Sequence, residues 1–288
     1  MATIVFFHAH PDDESSSTAG TMAMAARRGH RVVLVTATGG ECGEAPDDLR
    51  PGESVAERRA AELRRAASVI GVHRVVGLGY RDSGMTGWPQ NHLSGSFLDA
   101  DLDRAGRSLA DVLDEEDADA LVGYDWHGNY GHPDHIKVHQ VGWRAVELAA
   151  RPPRVLEVTM NRDHLNRVID AVTPEVGPMH LPDARVPGDD GNPLGTPEDE
   201  VRWAVDVQDL LDVKRTALAC HASQRTDIEG FTSLPPEIFR QTFGWEFFRE
   251  PGLEGALTVG WPFEGGPWPG TTFHCSCLGH RQDEGLAS

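Results

Sequence analysis

No run of this chain approaches the roughly 20 consecutive apolar residues that a transmembrane helix needs, so a membrane-spanning protein is not expected. Cysteine is scarce. Cys42, Cys220, Cys275 and Cys277 are the 4 cysteines in 288 residues, too few for a disulfide framework and consistent with a reducing compartment. Basic residues are outnumbered, with 26 Lys and Arg against 45 Asp and Glu, for a formal net charge of -19. Nucleic acid and anionic membrane both need a concentrated basic face, so neither is an expected partner, and the plainer consequence of the acidity is solubility. The opening MATIVFFHAHPDDE has a short apolar run with no basic segment before it, so no signal peptide is expected and the expected location is the cytoplasm. Also missing is a G-x-G-x-x-G after the first apolar run, which opposes a non-catalytic nucleotide-binding α/β protein, a reading the sheet alone would allow. There is no internal repeat, and nothing in the sequence marks an oligomeric state.

What is present is an alternation of two periodicities. Residues 3–7, 31–37, 73–78, 119–124 and 154–160 are short runs rich in β-branched residues, as in strands buried in a parallel sheet. Helical spacing of Ala, Leu and charged residues fills 15–29, 54–70, 101–115 and 134–150 between them. The expected fold is therefore α/β, a Rossmann-like, mostly parallel sheet with helices on both faces. One domain is expected over residues 1–288, with a core at 3–225 and an irregular C-terminal region at 226–288. Gly29 and Gly71 stand where helices should end, and Asp99 or Asp101 where the third should begin. A loop dense in Pro, Gly and Asp spans about 174–200, followed by a strand at 201–207 and a helix near 208–222. That loop is either a lid over the ligand crevice or a surface insertion. FGWEFF at 243–248 reads as an edge strand. His274, Cys275, Cys277 and His280 crowd the tail, where mobile chain is favoured over a second metal site.

Two clusters carry the chemistry. His10-Pro11-Asp12-Asp13-Glu14 follows the first strand, and His132-Pro133-Asp134-His135 follows the fourth and opens a helix. Ligands in open α/β sheets bind beyond the carboxyl ends of strands, so both clusters lie where a site belongs. A catalytic zinc takes three His or carboxylate ligands and keeps a position for water. His10 and Asp13 converge across a tight turn, one histidine of the second cluster completes the ligand set, and Asp12 is left as a base beside it. The other histidine is free to donate to developing negative charge or to protonate a leaving amine. Glu14 reads as a first-turn complement to the helix dipole.

These two segments resemble those of the LmbE-like zinc N-deacetylases, the GlcNAc-phosphatidylinositol de-N-acetylase family, over roughly residues 3–225. Within it the likeness is strongest to the mycothiol-pathway deacetylase and conjugate amidase. The resemblance implies that His10, Asp13 and His135 bind one zinc per chain, with iron a possible substitute, and that Asp12 is the general base. It implies that His132 stabilises the tetrahedral intermediate or acts as acid, that Asp134 orients or tunes His132, and that Tyr130 polarises the carbonyl. Arg59, Asp82 and Met85 would bind the sugar, and His221-Ala222-Ser223-Gln224 would support the site. Ser17 stands where the amidase branch has lysine, which favours the deacetylase. The expected partner is a small N-acyl amino sugar; amidase action on mycothiol S-conjugates is the alternative.

Overall fold

The five apolar runs become five mutually parallel strands of one eight-stranded sheet in the computed structural model, which describes residues 1–176 and 183–263. The chain runs β1 (Thr3–His8), α1 (Asp13–Ser17), α2 (Ala19–Arg27), β2 (Arg31–Thr38), α3 (Val55–Ile70), β3 (Arg74–Tyr80) and α4 (Leu102–Glu115). It continues through β4 (Ala120–Tyr124), a short kinked α5 (Gly128–Gly131), α6 (Pro133–Leu148), β5 (Arg154–Thr159) and α7 (Arg162–Val176). Then come β6 (Trp203–Asp206), α8 (Leu211–Cys220), α9 (Arg225–Thr232), α10 (Pro236–Phe243), β7 (Trp245–Arg249) and β8 (Thr258–Val259).

The strand order is β3-β2-β1-β4-β5-β7-β6-β8. From β1 the chain winds outward to β2 and β3, then returns to place β4 on the other side of β1, with Ile4 opposite Ala120 and Phe6 opposite Val122. Right-handed crossovers put the helices of the two halves on opposite faces. Accordingly α4 packs on α6, while α2 and α3 pack on α8. Between the carboxyl ends of β1 and β4 the chain departs in opposite directions, which opens a crevice. Both motif clusters start there.

Several local expectations need revision. The helix expected at 15–29 breaks at Thr18, whose backbone is non-helical (φ -136°) and whose hydroxyl meets His8 Nε2 at 2.8 Å. FGWEFF does not form an edge: β7 lies antiparallel between β5 and β6, with Phe248 opposite both Val158 and Trp203. Its two faces are both covered, by Phe247 on one side and Phe248 on the other, as a central strand requires. The region from 226 to 263 is therefore built of α9, α10, β7 and β8 and is not irregular. Gly20 lets α2 approach the chain after β6, since a Cβ there would lie 2.5 Å from Val207 Cβ. The tail cysteines and histidines lie outside the described residues.

Candidate active site

The turn after β1 is held in an uncommon conformation. Asp12 has φ 109° and ψ -29°, left-handed backbone that costs a non-glycine residue of order 1–3 kcal/mol. Arg59, reaching from α3, donates to Asp12 Oδ2 at 2.7 Å, to Gly40 O at 2.6 Å and to Pro11 O. Glu14 Oε2 accepts from Asp12 N at 2.9 Å, and Glu14 Oε1 pairs with His221 Nε2 at 2.7 Å. Burial pushes the Asp12 carboxyl up to about 6 against the pull of Arg59, a value suited to a group that must take and return a proton near neutrality.

Asp13 lies between two imidazoles. Its Oδ2 is 3.3 Å from His10 Nδ1 and its Oδ1 is 3.4 Å from His135 Nε2. Ligands around one tetrahedral cation at about 2.0–2.2 Å stand about 3.4 Å apart, which is the spacing of each of these two pairs, with a different Asp13 oxygen making each contact. Burial alone would raise the Asp13 carboxyl, but His135 and His10 hold it well below the usual range. His10 turns its other nitrogen, Nε2, to Asp134 Oδ2 at 3.2 Å, with Asp82 Oδ1 at 3.6 Å. A carboxylate accepting from the far ring nitrogen is the usual support of a metal-ligating histidine, and it leaves Nδ1 as the lone pair facing Asp13. His135 stacks on Tyr124 at 4.4 Å and 9°, and both of its ring nitrogens are buried without a hydrogen bond. A buried imidazole that makes no hydrogen bond, beside a cluster of buried carboxylates, fits a divalent cation. Among the described residues, two groups have ligand atoms that all lie within 4.8 Å of one another: His10 with His132 and His135, and His10 with Asp82 and Asp134. The carboxylates of the second group accept backbone N–H groups, Asp134 from Ser83 at 2.9 Å and Asp82 from Gly84 at 2.8 Å, as Asp13 Oδ2 does from His10 N at 2.8 Å.

The second cluster begins at α6, whose first turn contains Pro133. His132 caps that helix by accepting from Asp134 N on Nδ1 at 3.1 Å. Its Nε2 therefore carries the proton. Burial pushes His132 down to about 2, with His10 and His135 adding to the effect, so the ring is a neutral donor, not a stored acid. Asp134 departs from expectation: its carboxylate holds His10, and only its backbone N–H reaches His132. Tyr130 stands edge-on to His135 at 4.9 Å and to His132 at 6.1 Å. Burial, with Asp13 and Asp12, keeps its hydroxyl protonated.

Of the residues expected to bind sugar, two are buried and one is partly buried. Arg59 is only 3% exposed and is turned inward. Asp82 is buried, with Oδ2 accepting from Cys42 N at 3.1 Å and Oδ1 from Gly84 N. Burial would raise its carboxyl, but His10 and those N–H groups hold it well below the usual range. Met85 is partly buried in the loop after β3, where its carbonyl accepts from Asn91 Nδ2 at 3.1 Å. The long loop does touch this rim: Asp189 N donates to Tyr130 O, and Asp189 Oδ2 accepts from Thr86 N, both at 2.8 Å.

Some supports escaped sequence reasoning. His8 bridges Tyr124 Oη at 2.9 Å and Thr18 Oγ1 at 2.8 Å behind the site; a histidine inside an otherwise apolar strand was the available signal. Glu14 is a clamp on the Asp12 turn. Ser223 bonds Glu62 at 2.6 Å and Gln224 holds both backbone groups of Glu44, so the His221 segment does tie α3 and the loop after β2 together.

Residues 5–146 match the family model described as GlcNAc-PI de-N-acetylase. The chain is 39% identical over 285 residues to 1D-myo-inositol 2-acetamido-2-deoxy-alpha-D-glucopyranoside deacetylase of Thermobispora bispora, covering 91% of this chain and 93% of that protein. Among solved structures it resembles N,N'-diacetylchitobiose deacetylase from Pyrococcus horikoshii, with a TM-score of 0.53 and 22% identity over 86% of this chain and 83% of that one. It also resembles in fold the 4-carboxy-2-hydroxymuconate hydratase of Pseudomonas putida, with a TM-score of 0.57 and 16% identity over 90% of this chain and 100% of that one. At such identities the structural likeness speaks for the fold alone.

Proposed function

The chain belongs to the GlcNAc-PI de-N-acetylase family and is a metal-dependent N-deacetylase, and from that premise we propose that it removes the acetyl group of an N-acetylglucosaminyl-inositol. The metal of the proposal is zinc, which His10, Asp13 and His135 would hold. When bound there, it supplies Lewis acidity that polarises the acyl carbonyl and acidifies the attacking water. The observation that carries the reading is the placement of Asp13 between those two imidazoles, with Asp12 as the adjoining carboxylate.

The residues divide the remaining work. Asp12 takes a proton from the attacking water, and the C–O bond forms as the carbonyl π-electrons move onto oxygen. His132 Nε2–H and the Tyr130 hydroxyl donate to that oxygen, each neutral and each fixed by its surroundings. The oxyanion's electron pair then re-forms the carbonyl as the amide C–N bond breaks, and the proton held by Asp12 passes to the departing nitrogen. The products, acetic acid and the amine, end as acetate and ammonium once the acid's proton is transferred to the amine. Asp134 keeps the His10 ring turned so that Nδ1 faces the cation. No helix among the described residues is long and apolar enough to cross a membrane, and a cytoplasmic location is part of the proposal.

Metal analysis combined with deacetylation assays on N-acetylglucosaminyl-inositol and simple N-acetyl amino sugars tests this function. Bound zinc, release of acetate from the inositol conjugate and its loss in Asp12→Ala are expected. Full activity in Asp12→Ala overturns the mechanism; refusal of every amino sugar by the metal-loaded protein overturns the substrate.

A further inference from the structure

We propose that Tyr124 is the positioning residue for His135, its ring face taking the place of the hydrogen bond that orients most metal-ligating histidines, and that His8 holds Tyr124 there. The inference rests on the reading of His135 as a zinc ligand. A ligating imidazole almost always donates from its far nitrogen to a carboxylate, a backbone carbonyl or a water, which fixes its rotation and its tautomer. His10 has such a support in Asp134, whose Oδ2 lies 3.2 Å from its Nε2. His135 has no such bond among the described residues: it is buried, and neither ring nitrogen is hydrogen-bonded.

Surfaces hold the ring instead. Tyr124, at the end of β4, lies parallel to the imidazole, with centroids 4.4 Å and planes 9° apart, and Tyr130 meets it edge-on at 4.9 Å. Gly128 closes over the base of the side chain: a Cβ there would lie 2.3 Å from His135 Cβ, and its φ of +66° is one that glycine adopts without strain. Turning the imidazole about its Cβ–Cγ bond would drive its edge into the phenol ring. The stack therefore fixes the ring plane, with Nε2 at 3.4 Å from Asp13 Oδ1.

Tyr124 is itself anchored at its far end. Its hydroxyl lies 2.9 Å from His8 Nδ1, and His8 Nε2 lies 2.8 Å from Thr18 Oγ1, all three residues being buried. A neutral imidazole supplies one donor and one acceptor, and a hydroxyl can take either role, so the line from Tyr124 through His8 to Thr18 is satisfied in either tautomer. Burial, with Asp13 adding to it, keeps the phenol protonated, so the support puts no further negative charge behind the ligands. His8 closes β1 and Tyr124 closes β4, the two strands from which the motif clusters depart. Their hydrogen bond thus ties the strand carrying His10 and Asp13 to the ring that steadies His135.

The test is the zinc affinity of the full chain, read by competition with a chromophoric chelator, with urea unfolding measured on the same samples. Tyr124→Leu removes the flat face and is expected to weaken zinc binding about 10- to 100-fold. Tyr124→Phe keeps the face and loses the bond to His8, for a smaller loss of about 3- to 10-fold. Because Tyr124 acts through His135, adding Tyr124→Leu to His135→Ala should weaken binding no further. A merely structural role would lower urea stability and leave zinc affinity unmoved. Affinity within about twofold of the parent in either single variant overturns the inference, as does a further loss in the His135→Ala background. Tyr124→Phe, the milder change, decides the question if Tyr124→Leu does not fold. Parental zinc affinity in His135→Ala alone would instead overturn the ligand assignment, a separate failure.

Discussion

The backbone N–H of Asp134 donates to Nδ1 of His132 at 3.1 Å, and this one bond fixes the chemistry of the histidine. An acceptor nitrogen carries no proton, so the proton sits on Nε2, on the far side of the ring. Protonating Nδ1 would cost both the imidazole's burial and the helix cap. His132 is thereby built as a neutral donor, which separates it from Asp12, the group that takes the proton.

Capping and catalysis by His132 should come apart in two variants. His132→Ala is expected to lower kcat by about 10²- to 10³-fold and to destabilise the fold by about 1 kcal/mol, through loss of the donor and of the cap. His132→Asn keeps a good capping side chain, so urea unfolding should return close to the parent while kcat stays low. Recovery of activity with the cap would show that His132 acts only through α6.

The ligand set predicts a different ranking for metal content. Asp13→Ala and His135→Ala should each weaken zinc binding by at least about 100-fold, read by competition with a chromophoric chelator. His132→Gln should bind zinc with nearly the parent's affinity, since its Nδ1 serves the helix. Loss of metal in His132→Gln, with retention in Asp13→Ala, would shift the site to the three-histidine grouping.

Asp12 must be ionised to accept a proton, and burial raises its carboxyl to about 6. The kcat/KM profile should therefore fall on the acid side with a midpoint near pH 6, or lower where the cation's charge adds to that of Arg59. Asp12→Asn should lower the rate by about 10²- to 10⁴-fold and remove that limb. A limb that survives in Asp12→Asn would belong to another group.

His8 gives a pH dependence of stability. Burial holds its pKa at about 4, against an ordinary value of 6.5, with the carboxylates of Asp13 and Glu14 opposing. A folded-state value below the unfolded one means that the unfolded chain binds the extra proton. The contribution is full above pH 6.5 and is lost as pH falls toward 4, by at most about 3 kcal/mol. In metal-free protein, His8→Gln should unfold in urea with a flatter dependence across that window. An unchanged slope would place the acid sensitivity elsewhere.

Much of this molecule is written locally in its residues. The β-branched runs give β1 to β5 to within a residue or two, because β1, β2, β4 and β5 are buried on both faces and so apolar, while β3, at the sheet's edge, still has β-branched residues at its start. That His10, Asp13 and His135 come together was legible because each sits at a strand-to-helix crossing on the carboxyl edge of the sheet, where a doubly wound order opens its crevice. The aromatic run of β7 was legible as a strand, but its neighbours were not, since pairing with β5 and β6 depends on chain far away in sequence.

The sequence by itself determined the elements, the ligand types and the turn that joins them, because periodicity and short-range spacing are properties of neighbouring residues. Only the tertiary structure decided whom each polar group serves. Arg59 lies 47 residues from Asp12, and His221 lies 207 from Glu14, yet each pair closes a hydrogen bond in the same clamp. Direction and burial, which turn an arginine inward and put the proton of His132 on Nε2, arise from packing of distant segments.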